Sequence, residues 1–155
     1  MTNSIVKGKN FERETAAYLS RITGSPWNRV PNSGGLASAS NKDYNTFQGD
    51  LYSPQHKDLV IECKHWRFLT ISDLFNTKSE FHKAIRQAIR ESEGKEWLLF
   101  IKANNQGTLL IHKLFMEPET HTLLQKLEME NFMTLTTGKI SETYKIIKVN
   151  TCKKQ

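Results

Sequence analysis

Asp50, Glu62 and Lys64 are the residues of this 155-residue chain whose types and spacing could do chemistry. The aspartate follows Gly49, and twelve residues after it comes the run Ile61-Glu62-Cys63-Lys64. Two carboxylates and an ammonium brought to one point suit a divalent cation and a phosphate group. Mg2+ prefers a few carboxylates, waters and phosphate oxygens. Such a cation acidifies water, and a nearby lysine can position that water or steady charge developing on a scissile phosphate.

Converging these side chains requires a strand pair. The apolar, β-branched run Leu59-Val60-Ile61 predicts a buried strand continuing through Glu62 and Cys63. Asp50-Leu51-Tyr52-Ser53 reads as its partner, and Pro54-Gln55-His56-Lys57-Asp58 as the polar turn between them. A hairpin symmetric about His56 sets Asp50 directly opposite Glu62, with Cβ atoms roughly 5 Å apart. Carboxylates that close repel one another unless something positive lies between them, and burying them without a ligand is costly. Side chains alternate along a strand, so Glu62 and Lys64 share a face while Cys63 points to the other, as core packing and not as a nucleophile. A lone Glu-x-Lys is commonly an exposed salt bridge of little consequence. The apolar strand carrying this one sets it apart.

Length, charge and cysteines bound the rest. A chain of 155 residues is expected to be a single domain, with a core over about residues 7–112, a helix and strands over 113–150 and a tail over 151–155. Lys and Arg total 22 against 16 for Asp and Glu, giving +6 and a pI near 9.3, which favours a polyanionic partner. Cys63 and Cys152 make no disulfide framework and suit a reducing compartment. The start of the chain lacks the apolar run of an export signal, and no stretch approaches the roughly 20 apolar residues of a membrane span. There is no internal repeat and no Cys/His array suited to structural zinc. A cytoplasmic protein is the expectation.

Along the chain, Asn10 is a plausible helix cap, followed by Phe11, Thr15, Tyr18, Leu19 and Ile22 at helical spacing until Gly24-Ser25-Pro26. Glu12 falls at the margin of that apolar stripe and can lean over a site beside the sheet, while Arg13 points to solvent. Equally, Glu12 and Glu14 could complement the positive end of the helix dipole. Trp27-Asn28-Arg29-Val30 suggests a short strand, and a long Gly/Ser/Asn loop follows from Pro31 through Asn41, either a plain connector or a phosphate-approaching segment. Trp66 and Phe68 read as core anchors. Thr70 or Ser72 caps a short helix, and a longer one over about 79–92 buries Phe81, Ala84, Ile85, Ala88 and Ile89, leaving Lys83, Arg86, Gln87 and Arg90 on the other side. Residues 97–102 and 108–112 form a second hairpin, a helix follows Pro118, and Met133-Thr134-Leu135 and residues 144–149 are further strands. His56, His82, His112 and His121 show no ligand spacing.

In order, Lys7-Gly8-Lys9-Asn10-Phe11-Glu12-Arg13-Glu14, then Arg29 and Ser33, then Gly49-Asp50, then Ile61-Glu62-Cys63-Lys64 resemble the PD-(D/E)XK nuclease superfamily. Within it the resemblance is to archaeal-type Holliday-junction resolvases and their phage-encoded relatives, over residues 7 to about 112. It implies an α/β, restriction-endonuclease-like fold with a central mixed β-sheet flanked by helices. It implies that Asp50 and Glu62 hold Mg2+, with Mn2+ substituting, and that Glu12 joins through water or a second metal. It implies that Lys64 orients the attacking water, and that Arg29 and Ser33 meet the scissile phosphate. Lys7, Lys9, Arg13, Lys83 and Gln87 are the further DNA-contact candidates. Gln87 matches a glutamine of phage relatives, although helical periodicity puts it away from the apolar stripe. The segment from Ser33 to Asp50 is longer than in the compact archaeal enzymes, and Gly49 replaces the proline of the superfamily name, a change expected to leave the chemistry untouched.

The expected function is therefore metal-dependent hydrolysis of DNA phosphodiester bonds by a Holliday-junction resolvase. It would cut four-way junctions or other branched DNA symmetrically as a homodimer, in the host cytoplasm if phage-encoded, with no small-molecule cofactor and no membrane. The rivals are a restriction-type, nicking or other structure-specific repair endonuclease, and a non-catalytic basic nucleic-acid-binding module.

Overall fold

The computed structural model describes residues 4–31, 47–113, 120, 123, 129–136, 143–149 and 151. The elements in chain order are α1 (Ser4–Thr23), β1 (Asn28–Arg29), β2 (Leu51–Tyr52), β3 (Leu59–Trp66), α2 (Ile71–Phe75), α3 (Glu80–Ser92), β4 (Glu96–Ala103), β5 (Gly107–Lys113), β6 (Met129–Thr136) and β7 (Thr143–Val149). The strands form one seven-stranded sheet in the order β1-β2-β3-β4-β5-β7-β6. β3 and β4 run parallel, and the other paired strands are antiparallel. A parallel pair needs a crossover, which α2 and α3 supply. The fold is α/β, a mixed sheet flanked by helices.

β3 and β4 lie inside the sheet with both faces covered, which is why their sequences read as nearly unbroken apolar runs. On one face Leu59, Ile61, Cys63, Leu98 and Phe100 pack against Phe11, Ala16, Tyr18 and Leu19 of α1. On the other, Val60, Trp97, Leu99 and Ile101 pack against Phe81, Ala84, Ile85 and Ala88 of α3. Cys63 is thus core packing, as alternation required. Leu99 is fully buried beneath α3. Leu99→Ala is expected to cost about 2–5 kcal/mol, read as a lower urea midpoint at unchanged slope.

Local signals set the ends of α2 and α3. Thr70 and Asp73 form a capping box on α2. Ser79 caps α3 by accepting the His82 N–H, and Glu93 closes it in the left-handed conformation. The buried His82 ring lies 2.8 Å from the Leu74 carbonyl and ties α3 to α2.

Two expectations fail here. α1 begins at Ser4, not after Asn10, whose side chain accepts from Arg13 instead of capping a backbone N–H. The early turns find a tertiary partner, since the Lys7 carbonyl lies 3.3 Å from His65 Nδ1, whose other nitrogen meets Asn104. Glu12 and Glu14 therefore sit well inside the helix, where the dipole end no longer reaches them. Phe68 is 64% exposed, because β3 ends at Trp66 and the chain has left the sheet before Phe68. Trp66 does pack against the core. The helix expected after Pro118 falls largely outside the described residues, of which Thr120 and Leu123 are helical and buried. His121 and Cys152 also lie outside the described residues.

Candidate active site

The hairpin that carries the acids is short on one side and long on the other. β2 pairs with β3 through Leu51 opposite Ile61, the register of a hairpin centred on His56. The His56 N–H donates to the Ser53 carbonyl, and the Leu59 N–H to that of His56, closing the turn. Asp50 precedes β2. Its N–H donates to the Ile61 carbonyl at 2.7 Å, and its Oδ2 accepts the Cys63 N–H at 2.8 Å. Two backbone contacts to β3 thus fix the Asp50 carboxylate beside Glu62.

Glu62 is only 2% exposed, and Lys64 Nζ stands 3.5 Å from its Oε2. Its carboxyl is pushed up from 4.5 to about 9, first by burial, then by the Asp50 charge and a hydrogen bond with Glu91, with Lys64 opposing. At neutral pH this carboxyl holds a proton where a cation would serve equally well. The donors are all oxygen, which suits Mg2+ or Mn2+. Among the described residues no group of three or more His, Cys, Asp or Glu side chains is arranged to hold a metal. The fit rests on Asp50 and Glu62, and two carboxylates suffice for Mg2+, which keeps several waters.

Glu12 is buried near this centre but has a partner of its own, Arg29 Nε at 2.5 Å from its Oε2. The structure thus pairs Glu12 with the β1 guanidinium, while Asp50 and Glu62 lie together on the hairpin. Glu12 and Arg29 remain close to the hairpin. The Cys63 thiol is pushed well up by burial first, with Asp50, Glu62 and Glu12 all adding negative potential there. Cys63 marks the point around which the three acids gather.

The residue sequence reasoning missed is Glu91, which hydrogen bonds with Glu62 and receives the Gln87 amide at 2.9 Å. Gln87 is half-buried on the side facing this site, so its placement away from the apolar stripe is corrected. The signal was available: Gln87 and Glu91 are four residues apart on α3 and follow Ala84 and Ala88 by three, along the border of the buried stripe. The other candidates are dispersed. Lys7 is half-buried, Lys9 and Arg13 are exposed on α1, and Lys83 is exposed on α3 and paired with Glu80. Ser33 lies outside the described residues.

A mixed sheet flanked by helices, with Gly49-Asp50 and Glu62-Cys63-Lys64 on one hairpin, is the pattern of a PD-(D/E)XK nuclease. The chain belongs to the phage PDDEXK endonuclease family, whose model matches residues 3–153. It is 31% identical over 140 residues to Protein D14 of Escherichia phage T5, covering 80% of this chain and 83% of that protein. Among solved structures it is similar to Archaeoglobus fulgidus Hjc, a Holliday junction resolvase from an archaeal hyperthermophile. That match has a TM-score of 0.38 and 17% identity, and covers 90% of this chain and 88% of the other. Among the described residues no helix is long and apolar enough to cross a membrane.

The raised Glu62 pKa predicts a pH effect on stability. Folded Glu62 keeps its proton up to about 9, whereas unfolded it ionises near 4.5. Between these values the folded state binds more protons, so this contribution is full below about 4.5 and is lost as pH rises to about 9. Thermal melts in EDTA are expected to show Tm falling across this window, and Glu62→Gln is expected to flatten the profile. Mg2+ is expected to restore stability most at the alkaline end, where no proton competes for the carboxylate.

Proposed function

We propose that this endonuclease-family chain is a Mg2+-dependent endodeoxyribonuclease, with Mn2+ substituting, that cuts four-way junctions and other branched DNA as a C2 homodimer. The observation that carries the reading is the buried Glu62 carboxyl set against Asp50 with Lys64 beside it. A buried carboxyl set against a second one is costly, and a cation held by both offsets that cost. Asp50 and Glu62 would hold the cation, which when bound supplies Lewis acidity to the scissile phosphate and to water. Lys64 orients the attacking water and steadies the charge that develops on the phosphate. Arg29, half-buried and on Glu12, is placed to exchange that partner for a phosphate oxygen, while Gln87 and Glu91 brace Glu62 from α3.

Two symmetric cuts across a junction need two sites related by a two-fold axis, which is what a homodimer provides. The chain acts as one nuclease domain over residues 1–155, in the host cytoplasm. The net charge of +6 supports a polyanionic substrate.

The test is incubation with labelled four-way junction, linear duplex and flap DNA, in Mg2+ or EDTA. Expected is Mg2+-dependent cutting, strongest on the junction and at symmetric positions. Cutting in EDTA would overturn the metal-dependent reading. Faster cutting of linear duplex would overturn the junction reading and favour a restriction-type or nicking endonuclease.

A further inference from the structure

Beside the acid pair lies a cavity of about 450 Å³, walled by the β2–β3 hairpin, by Phe47 and Gln48 before it, and by Lys95 after α3. That volume falls in the range of small-ligand sites, roughly 300–1,000 Å³. We propose that it receives a single unstacked nucleobase of the DNA substrate, an inference that rests on the nuclease reading above.

Four observations converge on that ligand. The first is position. Val60 shares a face of β3 with Glu62 by strand alternation, and Val60 lines the cavity together with Tyr52 of β2. The cavity therefore sits one residue pair, roughly 7 Å, along the hairpin from the acids. A nucleotide whose neighbouring phosphate lies at Asp50 and Glu62 would reach it. The second is an aromatic wall. The Phe47 and Tyr52 rings lie 4.3 Å apart, and Phe47 is 40% exposed.

The third is an orphaned acceptor. Gln48, one of the residues lining the cavity, donates its amide N–H to Glu93 at 2.7 Å, and its Oε1 is buried without a hydrogen-bond partner among the described residues. A buried acceptor left unmade is costly, and a base carrying an amino group supplies the missing N–H. The fourth is charge. Lys57 and Lys95 line the cavity together with Asp58, leaving one net positive charge for the sugar-phosphate that must follow the base inside. Stacking and a hydrogen-bond edge are how single bases are held, whereas an apolar ligand would leave Gln48 unsatisfied.

The cavity also gives the enzyme a means of choosing its substrate. Extracting a base from an intact stack costs free energy, least where the base is already unpaired. Stacking on an aromatic returns roughly tenfold in affinity per base. The site thus favours DNA with an unpaired base next to the cut, as at branch points and flaps, over continuous duplex.

The experiment uses the full chain carrying Asp50→Asn, so that bound DNA stays intact, and compares three substrates at fixed salt. These are branched DNA with one unpaired adenine beside the cut mapped with the unmodified protein, its abasic counterpart, and fully paired duplex. Expected is about tenfold tighter binding of the adenine DNA than of the abasic DNA. Phe47→Ala and Tyr52→Ala are each expected to remove that preference while duplex affinity stays within twofold and the variants still melt cooperatively. Gln48→Leu is expected to keep the preference for a base over none but to level adenine against unsubstituted purine. Equal binding of adenine and abasic DNA by the parent overturns the inference, as does a preference that survives both aromatic truncations. A change in oligomeric state without a change in DNA preference also overturns it, and assigns the cavity to an interface between copies. A protein that cuts in Mg2+ yet ignores the base overturns this inference alone, whereas one that neither binds nor cuts DNA overturns the nuclease reading itself.

Discussion

Asp50→Asn is expected to reduce cleavage by at least three orders of magnitude while making the metal-free protein more stable, two opposite effects from one substitution. The amide oxygen can still accept the Cys63 N–H that the Asp50 carboxylate receives at 2.8 Å, so this contact with β3 is kept. What disappears is a negative charge beside a buried carboxyl, the second cause of the upward shift of Glu62. Relief of that repulsion raises Tm in EDTA, and removal of a cation ligand abolishes the stabilisation by Mg2+. Lys64→Ala supplies the contrast. It removes the ammonium 3.5 Å from Glu62, a charge that opposes the shift, so Tm in EDTA should fall or stay level. Its cleavage should drop about 10²–10³-fold, the usual loss for one group that stabilises developing charge. Single-turnover cleavage and melts with and without Mg2+ measure both variants. Cleavage within tenfold of the parent in either would overturn its assigned role, and equal Tm shifts in EDTA would refute the electrostatic account of Glu62.

How far the sequence foretold this centre depends on the range over which each signal acts. The hairpin register was legible because pairing follows from turn length, and Leu51 does face Ile61 as a centre at His56 requires. The pairing stops there, and Asp50 reaches β3 through its own N–H and through its carboxylate on the Cys63 N–H. Cys63 was legible because strand alternation is a property of the backbone alone. The start of α1 was not. Asn10 carries a good capping side chain, but the contact of the Lys7 carbonyl with His65, 58 residues on, is a tertiary fact that no local signal encodes. The Glu12 and Arg29 pairing is of the same kind, joining α1 to β1 across 17 residues. Without it Glu12 reads as a free third acid. With it Glu12 carries the Arg29 guanidinium, and α3 supplies the carboxylate that touches Glu62. Gln87 and Glu91 lay within reach of periodicity, but a helical wheel gives only an angle, and the side facing the site appears once α3 is set on β3.

Gly49 shows how a substitution neutral to the chemistry can still be dictated by the backbone. Its φ is +78°, and it bridges to Ile61 in the direction opposite to the antiparallel pairing that follows. Proline, fixed near −65°, cannot take this conformation, so the residue before Asp50 here must be glycine, whatever other members of the superfamily carry. A Cβ at this position would meet the Ile61 carbonyl oxygen at 2.5 Å and Val60 Cγ1 at 2.9 Å. The obstructed oxygen is the one that accepts the Asp50 N–H. Gly49→Ala must therefore part the two strands where Asp50 is held, adding displacement to a conformational strain of about 1–3 kcal/mol. A shift near 1 Å in a reacting group costs on the order of 10²-fold in rate. Gly49→Ala is thus expected to lose a few kcal/mol of stability and about two orders of magnitude in cleavage, and Gly49→Pro to lose the β2–β3 pairing altogether. Gly24→Ala isolates the strain component, since Gly24 has φ +70° but nothing within 4 Å of an added Cβ. It should cost about 1–2 kcal/mol and leave cleavage unchanged. Urea melts and single-turnover rates on the three variants separate strain from displacement. If Gly49→Ala behaves like Gly24→Ala, the Ile61 carbonyl can move without carrying Asp50 with it, and the two-contact account of how the aspartate is held is wrong.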